Sequence, residues 1–473
     1  MQKSDRKKNV VIWGAGKLYH MIKKDLVNTN IVAITDTNAE MHGKILDGVS
    51  IISPEQIEEV AFDYIIIAIH DLQKTGEIVK QLINRGVLAR KIITRTGLAD
   101  ITGVFPKVVQ NKEEKELSIW LAEQRVPKIL VVSHDFSYTG IPIASQNMCL
   151  ALTELGCAVV LASSRISFGS NIKKELGNKN IAYIEGLPLA YSSVWFGEIV
   201  KKFDFIVVSS IIQKDFLEMC MKNAVKCMLW VHETDEQYYE DAYLLPNDNL
   251  HVYGGGNRVI KKFSQVYRDI PIKSLQYYLP ETKPLRKKVE RNKVVFCFAA
   301  TIIKRKAPDL VVKAIEEMPD RYRNKFMCLM IGEVGERLFW DSYAQKINDI
   351  DEIEMKGVME QSELDELIAD IDVFLCPSRD DPMPIVVTQA MMHEKFCIIS
   401  ENVGQAEYIV QGENGFVFQN ENVEELREYM MWAIDHPEQL QYASQKSREI
   451  YDREFSLQAM MFNLKKAMLE MKV

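Results

Sequence analysis

Five places in the chain combine residue types that could do chemistry. Asp380 and Asp381 sit in a proline-containing loop between a buried run ending at Pro377-Ser378 and a helix, with Met383, Pro384 and Ile385 next in sequence and Gln389 on that helix. Carboxylates in such a loop are costly to bury without hydrogen-bond donors, and sugar hydroxyls are good donors. Lys304, Arg305 and Lys306 cluster between Thr301 and the helix-opening Pro308. Three cations there suit a diphosphate whose negative charge grows as it departs.

His232 and Glu233 end the run KCMLWVHE (226–233), where an imidazole is placed for proton or hydroxyl contacts. This is no zinc-protease pattern, because Glu236 stands where a second histidine would be needed. His134 and Asp135 end another apolar run, and Gly140 opens the helix that follows, with amides that could meet an anionic group. Gly14, Gly16 and Asp36 form part of a dinucleotide fingerprint, although Tyr19 replaces its third glycine. No cluster of carboxylates, histidines and cysteines reads as a metal site.

The elements that must position these residues alternate throughout. Short apolar runs between amphipathic helical stretches predict an α/β chain with parallel sheets. One series runs from VVIWGAG (10–16) through IVAITD (31–36) and YIIIAIH (64–70). A charged stretch at 110–128 reads as a connecting helix. A second series spans 128–233, and a third starts after the basic segment 282–293, which reads as an exposed hinge. The expected domains are therefore 1–105, a linker helix over 106–127, 128–285 and 286–473.

Composition excludes several classes. The 473 residues are 47% hydrophobic and 26% charged, and the net charge is −8, so a chain-wide grip on nucleic acid is not expected. No apolar run reaches the roughly 18 residues of a membrane helix, nor the length of a signal peptide's core. The 8 cysteines include no Cys-x-x-Cys pair and read as reduced thiols of a cytoplasmic protein.

From about 127 to 470 these motifs, in this order, resemble the retaining GT-B glycosyltransferases of the glycosyl-transferase-group-1 type, family four. The resemblance implies two facing Rossmann-like domains, with a further Rossmann-like domain in front. It matches Pro377, Ser378, Asp381 and Gln389 to the family's Pro-Ser and Glu-x7-Glu signature, with both glutamates altered. It implies Arg305 and Lys306 on the donor diphosphate, Gly332, Gly357 and Val358 around the base, and Met383, Pro384 and Ile385 beside the donor. His232 and Asp381 take the catalytic positions, and Gly140 and His134 the acceptor side.

The implied reaction moves a sugar from a nucleotide-diphosphate sugar to a glycan or lipid-linked acceptor, with retention and without metal or cofactor. Peripheral contact with the inner face of a membrane is compatible with such acceptors. Two alternatives stay open on the residues alone: an NAD-dependent oxidoreductase led by Gly14, Gly16 and Asp36, and a non-catalytic binding subunit on the same fold.

Overall fold

The computed structural model describes residues 7–26, 28–69, 72–94, 107–137, 139–163, 172–185, 194–240, 244–283 and 292–473. The expected boundaries at 105/106 and 285/286, and most of the basic segment 282–293, lie outside the described residues. The chain divides into two compact units. One comprises Met1–Ser137, Cys157–Val208 and Gln213–Cys227; the other comprises Tyr138–Gly156, Ser209–Ile212 and Met228–Val473.

The first unit opens with six strands: β1 (Lys8–Trp13), β2 (Thr29–Thr35), β3 (Ile45–Leu46), β4 (Val49–Ile52), β5 (Tyr64–Ile67) and β6 (Ile92–Thr94). Their order is β3-β4-β2-β1-β5-β6, parallel except for the β3–β4 hairpin. Successive residues of β1 feed opposite faces: Val10 and Ile12 join one core cluster, Val11 and Trp13 the other. Burial on both faces is why the strand reads as an unbroken apolar run.

The same unit holds β7 (Lys107–Gln110), β8 (Glu113–Glu116), β9 (Lys128–Ser133), β10 (Ala158–Ser163), β11 (Ala182–Ile184) and β12 (Phe205–Ser209), ordered β12-β9-β10-β11-β7-β8. Here the expected linker helix is corrected. Residues 107–116 form an antiparallel hairpin, and only Leu117–Glu123 is helical. Asn111 and Lys112 both take positive φ, 51° and 66°, which is the two-residue hairpin turn that suits strand twist. The run EEKE of β8 looks helical by charge, but those charges line the outermost strand, where they discourage edge-to-edge pairing.

In the second unit, from Met228 onward, the strands β13 (Cys227–Val231), β14 (Leu250–Gly254) and β15 (Ile272–Ser274) lie side by side. The remaining strands are β16 (Val294–Ala299), β17 (Phe326–Ile331), β18 (Ile353–Gly357), β19 (Val373–Cys376), β20 (Phe396–Ser400) and β21 (Gly415–Phe418). They form an all-parallel sheet ordered β18-β17-β16-β19-β20-β21 over a core that includes Phe296, Phe298, Phe326 and Phe396. Chain order reverses between β16 and β19. Ligands of open parallel sheets bind outside the carboxyl ends of the strands at such a reversal.

Candidate active site

The loops that leave β16 and β19 meet at that reversal. After β16 the chain makes a tight turn over Lys304–Lys306, and Ala307, at φ 54°, redirects it into the helix Pro308–Glu316. After β19, Arg379 donates its backbone N–H to Arg305 O at 2.9 Å, and Arg305 Nη1 donates to Asp380 O at 2.8 Å. Lys306 Nζ pairs with the Asp381 carboxylate, and both side chains are largely enclosed, 18% and 9% exposed. Arg379 forks onto Asp309 at 2.9 and 2.8 Å and also meets Glu421, contacts that keep its guanidinium pKa raised. Arg379 therefore ties the loop to its own sheet.

Asp380 contradicts the expectation that a loop carboxylate awaits sugar hydroxyls. Its oxygens accept from Arg258 Nη2 at 2.6 Å and from Thr234 Oγ1 at 3.1 Å. Arg258 Nη1 donates to Asn402 Oδ1 at 2.9 Å, and Asn402 O accepts the Asp381 backbone N–H at 3.1 Å. The acid loop is thus braced from segments on either side. Arg258 and Thr234 escaped the sequence reading. The available signal was the triplet Gly254–Gly256 just before Arg258's helix. Gly256, at φ 131°, leaves room for Met383, whose Cε would lie 2.6 Å from a Cβ there.

His232 follows β13, edge-on to Trp230 with ring centroids 4.3 Å apart. Glu233 beside it is buried, and burial pushes its carboxyl pKa up. Gly332 and Gly357 are joined by a 2.9 Å backbone bond, and a Cβ on Gly332 would lie 1.9 Å from Ala300 O, so this glycine serves close packing of strand ends. Val358 is 72% exposed. Pro384 O accepts from Gln405 Nε2 at 2.8 Å, and Ile385 opens the helix Ile385–Met392. Gln389 is buried and donates to Asp365.

Gly140 begins the helix Gly140–Glu154, with nothing within 4 Å of where its Cβ would be. In the other unit, His134 Nε2 lies 3.6 Å from Asp135. There too Asp36 accepts from the backbone N–H of Ala15 (2.8 Å) and Asn38 (2.9 Å), and Gly14, at φ 110°, packs where a Cβ would be 2.7 Å from Ala68 O. Gly16 has open space beside it. Of the three residues expected to hold a nucleotide, Gly14 and Asp36 thus have duties to the fold.

Residues 281–450 match the family Glycosyl transferases group 1, and residues 125–252 match Glycosyl-transferase family 4. The chain is a group 1 glycosyltransferase. Its front part, residues 6–93, matches the family C2185-like, N-terminal. Among solved structures the glycosyltransferase is similar to HepE of Anabaena in complex with UDP and glucose, at 13% identity and TM-score 0.60, over 72% of this chain and 99% of that one. It is also similar to a glycosyltransferase of Rickettsia africae (17%, TM-score 0.62, 74% and 100% covered). Sucrose-phosphate synthase of Thermosynechococcus elongatus is a third (15%, TM-score 0.58, 72% and 98%). Comparison with curated proteins finds no match.

The fold of the glycosyltransferase is GT-B, preceded by an additional α/β sheet. All eight of its cysteines are buried and unpaired, and burial raises several of their thiol pKa values, Cys376 to about 11. Among the described residues no group of three or more metal-ligating side chains comes together, and no helix is long and apolar enough to cross a membrane.

Proposed function

We infer that this glycosyltransferase moves a sugar from a nucleotide-diphosphate sugar to an acceptor hydroxyl with retained anomeric configuration, without a metal ion, in the assembly of a glycan or surface polysaccharide. The observation that carries the reading is the enclosed Lys306–Asp381 pair at the β16/β19 reversal, with Arg305 on the adjoining loop. Similar proteins support it: HepE has been captured with UDP-glucose, and WaaG is a glycosyltransferase of lipopolysaccharide biosynthesis.

Lys306, enclosed enough that water screens it little, and the more exposed Arg305 offset the charge of the diphosphate as it leaves. When a phosphate oxygen takes a share of Lys306, Asp381 gains a free oxygen for a sugar hydroxyl. Gln389, its amide held by Asp365, offers its side-chain oxygen to a ribose hydroxyl. Gly332, Gly357 and Val358 flank the base, while Met383, Pro384 and Ile385 line the donor. Gly140 and His134 belong to the acceptor side.

In the retaining step the acceptor oxygen bonds to the anomeric carbon on the face from which the phosphate departs. The carbon–phosphate-oxygen bond breaks, and the departing oxygen takes the acceptor's proton. His232 orients sugar hydroxyls at this centre. Proton NMR of the product checks the stereochemistry, and an inverted anomer discards retention. A melting panel of UDP-, GDP- and ADP-sugars identifies the donor, since one at about 100 times its Kd stabilises by about 2.7 kcal/mol. Transfer is expected to persist in EDTA.

A further inference from the structure

Glu233 is buried, 6% exposed, and makes no ion pair with a lysine or arginine among the described residues. A carboxylate so far from water needs donors around it. They are the Ser210 hydroxyl and the backbone N–H groups of His232 at 3.0 Å and Ile211 at 3.4 Å. To deliver its hydroxyl, Ser210 is held at φ 106°, a region that favours glycine. The Tyr239 hydroxyl donates to the main-chain Glu233 O at 2.7 Å. The segment 232–233 is thus tied, within the second unit, to Ser210 and Ile211 and to the helix Gln237–Glu240. The His232 ring lies between Trp230 and Gly255, where a Cβ would come 3.3 Å from Nδ1. Glycine at 210 would relieve the backbone, and an apolar residue at 233 would avoid burying a charge. Stability alone explains neither choice.

We propose that Glu233 is a positioning residue, which acts through Ser210 and the two amides to hold the His232 imidazole in the orientation that sugar transfer requires. The proposal rests on the reading of His232 as an active-site group. Glutamine can keep all three contacts: its carbonyl accepts from the two amides, and its amino group donates to the serine oxygen. Glu233→Gln is therefore expected to retain transfer within about threefold, whereas Glu233→Ala lowers kcat by about 30-fold with donor KM little changed. Ser210→Gly removes one donor from the carboxylate but relieves the strained backbone, so it is expected to melt within a few degrees of wild type yet to lose about tenfold in kcat.

In a His232→Ala background, Glu233→Ala is expected to cost little more. Full additivity there, or wild-type kcat in both Glu233→Ala and Ser210→Gly, overturns the proposal. The histidine C–H resonances of the full chain, labelled on its imidazoles, test positioning even if no nucleotide sugar is turned over. The His232 signal is expected to move or broaden in Glu233→Ala and Ser210→Gly but to hold in Glu233→Gln. An unmoved signal in the first two overturns the proposal, whereas absence of transfer by wild type, with the signals behaving as expected, overturns only the proposed function.

Discussion

The reversal between β1 and β5 and the reversal between β16 and β19 are the same topological feature treated in two ways. At the first, the loops close on each other through backbone: Gly14 abuts Ala68 O, and Asp36 is occupied by the amides of Ala15 and Asn38. At the second, the loops meet through charge. Lys306 faces Asp381, and Arg258 and Thr234 reach in for Asp380. A glycine and an acid at strand ends can therefore serve the fold. Charges supplied by elements distant in sequence, and paired with one another at strand ends, are what the proposed function assigns to a charged ligand.

The sharpest way to break this contrast is Lys306→Met. Transfer is expected to fall by about 10²–10³-fold in initial-rate assays, as when an electrostatic stabiliser is removed. The unpaired, enclosed Asp381 should also lower stability by about 3 kcal/mol in denaturant melts. Wild-type transfer by this variant would move the donor away from the β16/β19 reversal. Next in size is Gly14→Ala, expected to destabilise by about 2–3 kcal/mol because φ 110° and the 2.7 Å approach to Ala68 O both oppose a side chain. Its kcat, measured well below the melting point, should stay at the wild-type value.

Asp36→Asn sharpens the comparison from the other side. It should cost about 1 kcal/mol from weakened loop hydrogen bonds, and NADH fluorescence should be unresponsive to wild type and variant alike. A saturable NADH signal lost in the variant would restore a ligand to the first reversal. The smallest effect is a pH dependence. Burial raises the Glu233 carboxyl pKa above its ordinary value, so its stabilising contribution is full below about pH 4.5 and is lost as pH rises through the folded-state pKa. Glu233→Gln should therefore gain Tm relative to wild type as pH rises above about 4.5, and a difference that stays constant with pH would contradict the shift.

Much of the fold was legible because its causes are local. Apolar runs such as VVIW and VFLC, buried on both faces, announce parallel strands whatever surrounds them. The hairpin at 107–116 was missed for a local reason too: the acidic run of β8 imitates a helix face, while the decisive turn at Asn111–Lys112 is only two residues long. The positions of Lys306 and Asp381 at strand ends were readable from motif spacing. Their mutual pairing across 75 residues was not.

Residue order by itself determined the alternation of strand and helix, and with it the parallel sheets and the loops that could bear chemistry, because hydrophobic periodicity and turn preferences act over a few residues. Tertiary structure alone decided that Asp380 belongs to Arg258, 122 positions away, that Glu233 is buried against a strained Ser210, and that Asp36 serves its own loop. Which charges meet depends on strand order and packing, and nothing in local spacing encodes a partner that only the assembled sheets bring within a few ångströms.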